Sequence, residues 1–442
     1  MIIKGFEATD VFGYLDFNIK FNEDKNFLVG GNGSGKTTAL KLMNALINPS
    51  FRELLVTPFE DCSLSLEVNG EEIYIHAFRR DENIILAISN CESEVILPSN
   101  NSSEMEIFSR REDRFEELLE DLTRKYSSDP VIKAISEINS PVFLGLDRRA
   151  NLSEPKQDYF LEREIWLSGK NKQINRSRRF IQGSIGQSLM EIEMLVKDTY
   201  KHIRNLEIEQ SHILRNQILM SSFKYSKFDK ENFALKHAGR KEQKKLIASK
   251  NEIKKALTNI IGFDASINEE VDTFFNDLNE LFDGLSSTNR SDIGIELLLN
   301  TAQIDRMYRV VDIIEEHKSR NDKYYKPIND FLGIVNEFYE DSGKRLEIDT
   351  VGQLLVRRPD GNECTIEGLS SGERQLLVIF AHSFFNYNNV FIIDEPELSL
   401  HLGWQEKFAE TIFLANPRSQ FILATHSPEI VAGNKDKAVE CR

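Results

Sequence analysis

Cysteine is scarce in this chain of 442 residues: Cys62, Cys91, Cys364 and Cys441 are scattered, and no two form a C-x-x-C pair. That spacing supports neither a zinc knuckle nor a disulfide framework and fits a reducing cytoplasm, the expected location. Long apolar runs are also missing. None approaches the roughly 18 to 20 residues needed to span a bilayer. The chain opens with the β-like Met1-Ile2-Ile3-Lys4 rather than a basic segment followed by an apolar one, so neither secretion nor membrane insertion is expected. Positive charge is in deficit, with 55 Lys and Arg against 71 Asp and Glu and a formal net charge of -16. A surface that coats nucleic acid by charge alone is excluded, because phosphate binding rests on many neutralising cations; any such contact must be local. There is no internal repeat and no low-complexity tract.

What is present reads as an α/β chain too long for one core, so two or three domains are expected. Tyr14 to Phe21 alternates, and Phe27-Leu28-Val29 is a buried strand running into a Gly-rich loop and a helix from about Thr37. Leu64, Leu66 and Val68 alternate up to the turn pair Asn69-Gly70, Ile73 and Ile75 continue beyond it, and short strands near Ile84 and Val95 complete a small antiparallel sheet. From about Glu104 the pattern becomes helical, with Phe115, Leu118, Leu119 and Leu122 on one face, until Pro141 to Leu146 restores a buried strand.

A second helical block runs from about Gln187 to Tyr339. Leu189, Ile192, Val196, Thr199, Ile203, Leu206, Gln210, Ile213, Gln217 and Met220 alternate spacings of three and four, which would keep one seam on a partner helix. After a break near Ser221 to Asp229, Leu246, Ile253, Leu257 and Ile260 recover a looser seam. Two readings stay open: a projecting coiled-coil arm on the order of 50 Å long, or a compact helical lobe. Strands resume at Leu346 to Ile348 and Leu354 to Val356, with Asp360-Gly361 as a turn, and strands and helices alternate to the end. The expected plan is a head built from residues 1–110 and 341–442, interrupted by a helical insertion over 111–340 whose strand at 142–147 belongs to the head.

Four short motifs carry chemistry. Gly30-Gly31-Asn32-Gly33-Ser34-Gly35-Lys36-Thr37-Thr38 contains the G-x-x-x-x-G-K-[ST] phosphate loop, with a strand before it and a helix after it. Its glycines let backbone N–H groups face phosphate oxygens, and the helix N-terminus adds its positive end. Lys36 is placed to reach the β- and γ-phosphates, and Thr37 to ligate Mg²⁺. Val390 to Glu395 is an apolar strand ending in two acids, Asp394 for Mg²⁺ through water and Glu395 to orient or deprotonate the attacking water. Leu369-Ser370-Ser371-Gly372-Glu373 stands 25 residues ahead of Asp394, and Phe421 to Ala424 is a buried strand that delivers His426 to its end.

The third motif resembles the ABC signature loop in its L-S-x-G-E form. The resemblance implies that Ser370, Ser371, Gly372 and Glu373 bind the γ-phosphate of a nucleotide held by a second subunit, and that His426 is the switch histidine. The tract Asp394-Glu395-Pro396-Glu397-Leu398-Ser399-Leu400-His401, followed by Trp404-Gln405, resembles the form found in ATPases related to the OLD family and in the ATPase subunits of the Septu and PARIS antiphage systems. The resemblance covers roughly residues 1 to 110 and 340 to 442. It implies an ABC-type P-loop ATPase head, with a mixed sheet and a small antiparallel β-subdomain, that binds ATP and Mg²⁺, dimerises around them and hydrolyses ATP, with residues 396–405 crossing the dimer interface.

Several features depart from that pattern. OLD-type nucleases continue past the switch histidine, but only Ser427 to Arg442 remain here, so no nuclease domain is expected. Zinc-hook repair ATPases carry a C-x-x-C at the arm tip, and none is present. After the strand at Val142 to Leu146 the expected coupling glutamine is replaced by Asp147-Arg148-Arg149, with Gln157 the nearest glutamine. Phe12 and Tyr14 are equally candidates for adenine stacking and for core. Two basic stretches stand out, Lys170 to Arg179 without an acid and Lys236 to Lys255, where eight cations meet Glu242 and Glu252; each is a contact for nucleic acid or a phage component, or a solvated face. The function implied is the sensor subunit of a bacterial antiphage complex controlling a separate HNH or TOPRIM-type nuclease. The competing reading is a DNA-repair or chromosome-structure ATPase that clamps DNA directly.

Overall fold

The structure is a computed structural model; it describes residues 1–81, 83–98, 112–145, 184–223, 240–261, 265–284, 290–386 and 390–441. In chain order its strands are β1 Ile2–Val11, β2 Leu15–Lys20, β3 Lys25–Val29, β4 Asp61–Val68, β5 Glu71–Arg80, β6 Asn83–Ile88 and β7 Glu94–Pro98. They continue with β8 Val142–Leu144, β9 Arg345–Ile348, β10 Leu354–Arg357, β11 Glu363–Cys364, β12 Val390–Asp394, β13 Gln420–Ala424 and β14 Ala438–Glu440. Two compact units emerge, one of Met1–Asp198 with Asp330–Arg442 and one of Thr199–Asn329.

The first unit is organised by a five-stranded parallel sheet in the order β14-β3-β13-β12-β8. Its strands β8, β12 and β13 are buried on both faces, as parallel strands between two layers must be. Leu28, Ile392 and Ile422 face one core with the helix Lys36–Ile47 and the six-stranded antiparallel sheet. Phe27, Ile393 and Leu423 face a second core with Leu189, Ile192 and Val196 of the helix Ser184–Ser222, Phe331 and Val335 of the helix Arg290–Tyr339, and the helices Ser371–Phe385 and Leu402–Ala415. The hairpin between β4 and β5 turns on Asn69 and Gly70, both at positive φ (54° and 86°), as a tight primed turn requires. Val142–Leu144 pairs with β12 and is thus a strand of the parallel sheet.

The described residues 112–145 and 184–198 side with the head, so the division falls inside the helices Ser184–Ser222 and Arg290–Tyr339 rather than at 110 and 340. The first turns of the former bury Leu189, Ile192 and Val196 in the head core, which is why the helix counts with the head at its start.

The second unit has its own core, in which Leu214, Leu246, Ile253, Phe275, Leu278 and Ile304 represent five different helices. That is a compact lobe and not a bare pair of helices. The heptad seam stays buried or half-buried as far as Gln210 and then slips: Ile213 is 41% and Met220 73% exposed, while Leu214 and Ser221 are buried. Buried and half-buried positions recur about every 3.6 residues, the period of a straight helix packed in a bundle, whereas a strict seven-residue repeat would need supercoiling. Among the described residues no helix is long and apolar enough to cross a membrane. All four cysteines are free.

Candidate nucleotide site

The register of the parallel sheet brings the motifs together. Leu28 of β3 pairs with Ala424 of β13, and Ala424 pairs with Asp394 of β12, so three neighbouring strands end side by side. The phosphate loop leaves β3, the acid pair ends β12 and His426 follows β13, which is the carboxyl edge where open α/β sheets bind ligands.

A cavity of about 470 Å³ lies at this edge, lined by residues 32–38 of the phosphate loop together with Phe12, Tyr14, Leu15, Glu395 and His426. Gly35 is the N-cap of the helix Lys36–Ile47 at φ 86°. A β-carbon there would meet the Phe17 ring of β2 at 2.6 Å, so backbone conformation and packing both demand glycine. Lys36 is buried, and its ammonium donates to the carbonyls of Gly30 at 2.9 Å and Gly31 at 3.1 Å, which holds the loop curled around it. Burial pulls the Lys36 pKa below the ordinary lysine value, against the opposing influence of Cys441, Glu395, Asp394 and Glu397. Burial pushes the Cys441 thiol up to about 11, so at neutral pH the three carboxylates carry that opposition.

Asp394 is buried at the strand end. Glu395 adopts φ 47° and donates its N–H to the Ala424 carbonyl at 2.8 Å, so it stays tied to β13 while its side chain turns to the cavity. His426 Nε2 stands 4.0 Å from Glu395 Oε1, both side chains partly exposed. Thr37 and Asp394 offer a hydroxyl and a carboxylate, hard oxygen donors of the kind Mg²⁺ takes beside nucleotide phosphates. Among the described residues no cluster of three His, Cys, Asp or Glu is arranged to hold a metal, so any cation here would draw its remaining ligands from phosphate and water.

The signature residues lie elsewhere. Ser370 and Ser371 are exposed at the start of the helix Ser371–Phe385 and do not line the cavity. Ser370 is the N-cap of a reciprocal capping box with Glu373. Glu373, grouped with the nucleotide-contacting residues on sequence grounds, is turned inward: its carboxylate accepts the Ser370 N–H and the Lys344 ammonium, both at 2.7 Å. Its part in the motif is to build the loop. Burial opposes its ionisation, but the Lys344 and Ser370 hydrogen bonds outweigh that and hold the carboxyl below its ordinary value. Gly372 is buried.

Phe12 and Tyr14, for which core and adenine stacking were equal alternatives, are not core: they are 48% and 72% exposed at the tip between β1 and β2, on the cavity wall. Asp147, Arg148, Arg149, Gln157 and the stretch Lys170 to Arg179 lie outside the described residues. In the second basic stretch Lys245 pairs with Glu315 at 2.8 Å, and Lys250 and Lys254 pair with Asp272 at 2.8 and 2.5 Å. These lysines are engaged within the lobe. Sequence reasoning gave Glu397 no task; the structure gives it the His426 backbone N–H at 2.6 Å, a contact across 29 residues with no local signal beyond a second acid after Pro396.

Among known proteins, the probable ATPase of retron Vc95 from Vibrio cholerae serotype O1 biovar El Tor is 24% identical over 283 residues, which is 58% of this chain and 52% of that protein. The chain thus spans about half the length of this relative. Similar solved structures include the Smc head domain with an extended coiled coil from Pyrococcus furiosus, with a TM-score of 0.41, 14% identity, and 98% and 91% of the two chains covered. The Smc head domain with a coiled coil and joint from Pyrococcus yayanosii has a TM-score of 0.40, 14% identity, and 99% and 94% covered. The family model of the AAA ATPase domain matches residues 12–431, nearly the whole chain, and the protein therefore belongs to the AAA ATPase domain family.

Proposed function

We propose that the protein closes as a homodimer on MgATP and that this cycle governs a separate effector nuclease in a bacterial antiphage complex. The observation that carries the dimer is the separation of the two halves of the site. The cavity holds the phosphate loop, Glu395 and His426, whereas Ser370 and Ser371 are exposed outside it. A second copy facing the cavity would bring its own Ser370 and Ser371 to the γ-phosphate.

In this reading Lys36 and the loop N–H groups bind the β- and γ-phosphates, and Thr37 and Asp394 hold Mg²⁺. The cation, when bound, neutralises charge on the phosphate oxygens. Glu395 orients or deprotonates the attacking water. His426, on the neighbouring strand end, senses the γ-phosphate, and its release as inorganic phosphate after hydrolysis reopens the dimer.

The regulatory role is supported by the Asp394 to His401 tract, by the likeness to the probable ATPase of a retron, and by a helical lobe with its own core. A direct DNA clamp draws less support, since three lysines of the second basic stretch are already paired with acids. Pull-down from the native host with genomic neighbours intact, with and without ATP, followed by mass spectrometry and sizing, tests the proposal. A nuclease in a nucleotide-dependent assembly supports it; a lone dimer retaining DNA replaces it with the clamp.

A further inference from the structure

We infer that Glu397 is a positioning residue for hydrolysis, acting through the backbone of His426. The inference rests on the roles proposed above for Glu395 and His426. After Asp394 the chain cannot simply continue: Glu395 takes a left-handed conformation, and Pro396, which has no N–H, is buried with its carbonyl accepting from Gln375 Nε2 at 3.0 Å. Two turns follow at once, Leu398 N–H to the Glu395 carbonyl at 3.2 Å and Leu400 N–H to the Glu397 carbonyl at 3.0 Å. This backbone is locked on both sides of Glu397, so its side chain has a preset direction.

That direction is the end of β13. Past Ala424 the strand ladder stops, and the N–H of the exposed His426 has no strand partner. Glu397 Oε1 takes it at 2.6 Å, the short length of a charge-assisted bond. The same carboxylate belongs to the negative field around Lys36. Glu397 does not line the cavity. Its effect is indirect: by fixing the His426 backbone it holds the imidazole 4.0 Å from Glu395 Oε1 at the cavity wall. Glu397 thereby links the strand that carries the acids to the strand that carries the histidine.

The test is steady-state ATPase kinetics on Glu397→Ala, Glu397→Gln, His426→Ala and the double variant Glu397→Ala with His426→Ala, in the full chain. Glu397→Ala should lower kcat on the order of 10- to 100-fold, the scale of a misplaced reacting group, and leave KM for ATP within about twofold. Glu397→Gln keeps a carbonyl acceptor and should recover most of the loss. In the His426→Ala background, Glu397→Ala should add little, since the two act as one unit. Equal losses for Ala and Gln, additive losses in the double variant, or a change confined to KM would each overturn the inference. If His426→Ala alone left kcat unchanged, the role proposed for His426 would fail, and the inference with it. Should Glu397→Ala fail to fold, the Gln variant and its double with His426→Ala carry the same comparison.

Discussion

Gly372 lies hard against the carbonyl of Ser399, so close that a β-carbon at residue 372 would overlap that oxygen. The contact joins the signature helix to the loop after Asp394, in which Ser399 takes φ 61°. It is reinforced by Gln375 Nε2 donating to the Pro396 carbonyl at 3.0 Å. The exposed Ser370 and Ser371 are therefore set, through the body of the helix, against the acid-bearing strand of the same subunit.

Gly372→Ala should displace that loop. Overpacking at such a site costs about 1–3 kcal/mol, to be read from urea unfolding, with ATPase activity falling in parallel. Wild-type stability together with wild-type activity would mean that the close approach is relaxed in solution.

Lys36→Ala should weaken ATP binding by roughly 10- to 100-fold, the loss of one set of hydrogen bonds from a charged donor to phosphate. Calorimetric titration or a fluorescent nucleotide measures this directly. Unchanged affinity would remove Lys36 from the phosphate-binding role.

Glu395→Gln preserves shape and removes the base. Turnover should fall by about 10²- to 10⁴-fold, while ATP-dependent dimer persists on sizing columns. Preserved turnover would reject the assignment of Glu395.

Replacing Phe12 and Tyr14 together by Ala should raise the dissociation constant for ATP by at least about fivefold, since stacking on a base is worth roughly 1–3 kcal/mol. Both are exposed, so thermal stability should hardly move. A drop in stability with no effect on affinity would return these aromatics to a structural role.

Lys344→Met leaves the Glu373 carboxylate without its cation and should cost about 1.5–3 kcal/mol at neutral pH. The sign of the pH dependence follows from the folded Glu373 pKa, which is held below its ordinary value of 4.5. The pair contributes fully above that value and its contribution is lost as pH falls through the lower, folded pKa. Unfolding curves of wild type and variant should therefore differ at pH 7 and converge in acid. A constant gap across that range would show that Lys344 stabilises by packing alone.

Local chain chemistry makes much of the site legible in the sequence. A phosphate loop needs glycines, a lysine and a hydroxyl within nine consecutive residues, and a strand that carries an acid pair needs only an apolar run with Asp394 and Glu395 at its end. The Asn69-Gly70 hairpin and the strands on either side were readable for the same reason: tight turns and period-two burial are properties of adjacent residues. The helical block was readable as helix but not as architecture, because repeats of 3.5 and 3.6 residues drift apart by only about 20° per heptad. Packing against several helices, rather than one, selected the second and left Ile213 and Met220 in solvent. Tertiary structure alone decided that Glu373 faces inward to Lys344, that Phe12 and Tyr14 stand on the cavity wall, and that Glu397 holds the His426 backbone. Each of these depends on residues distant in sequence being brought to one sheet edge, and the order β3-β13-β12 that does so arises from pairing between the two ends of the chain.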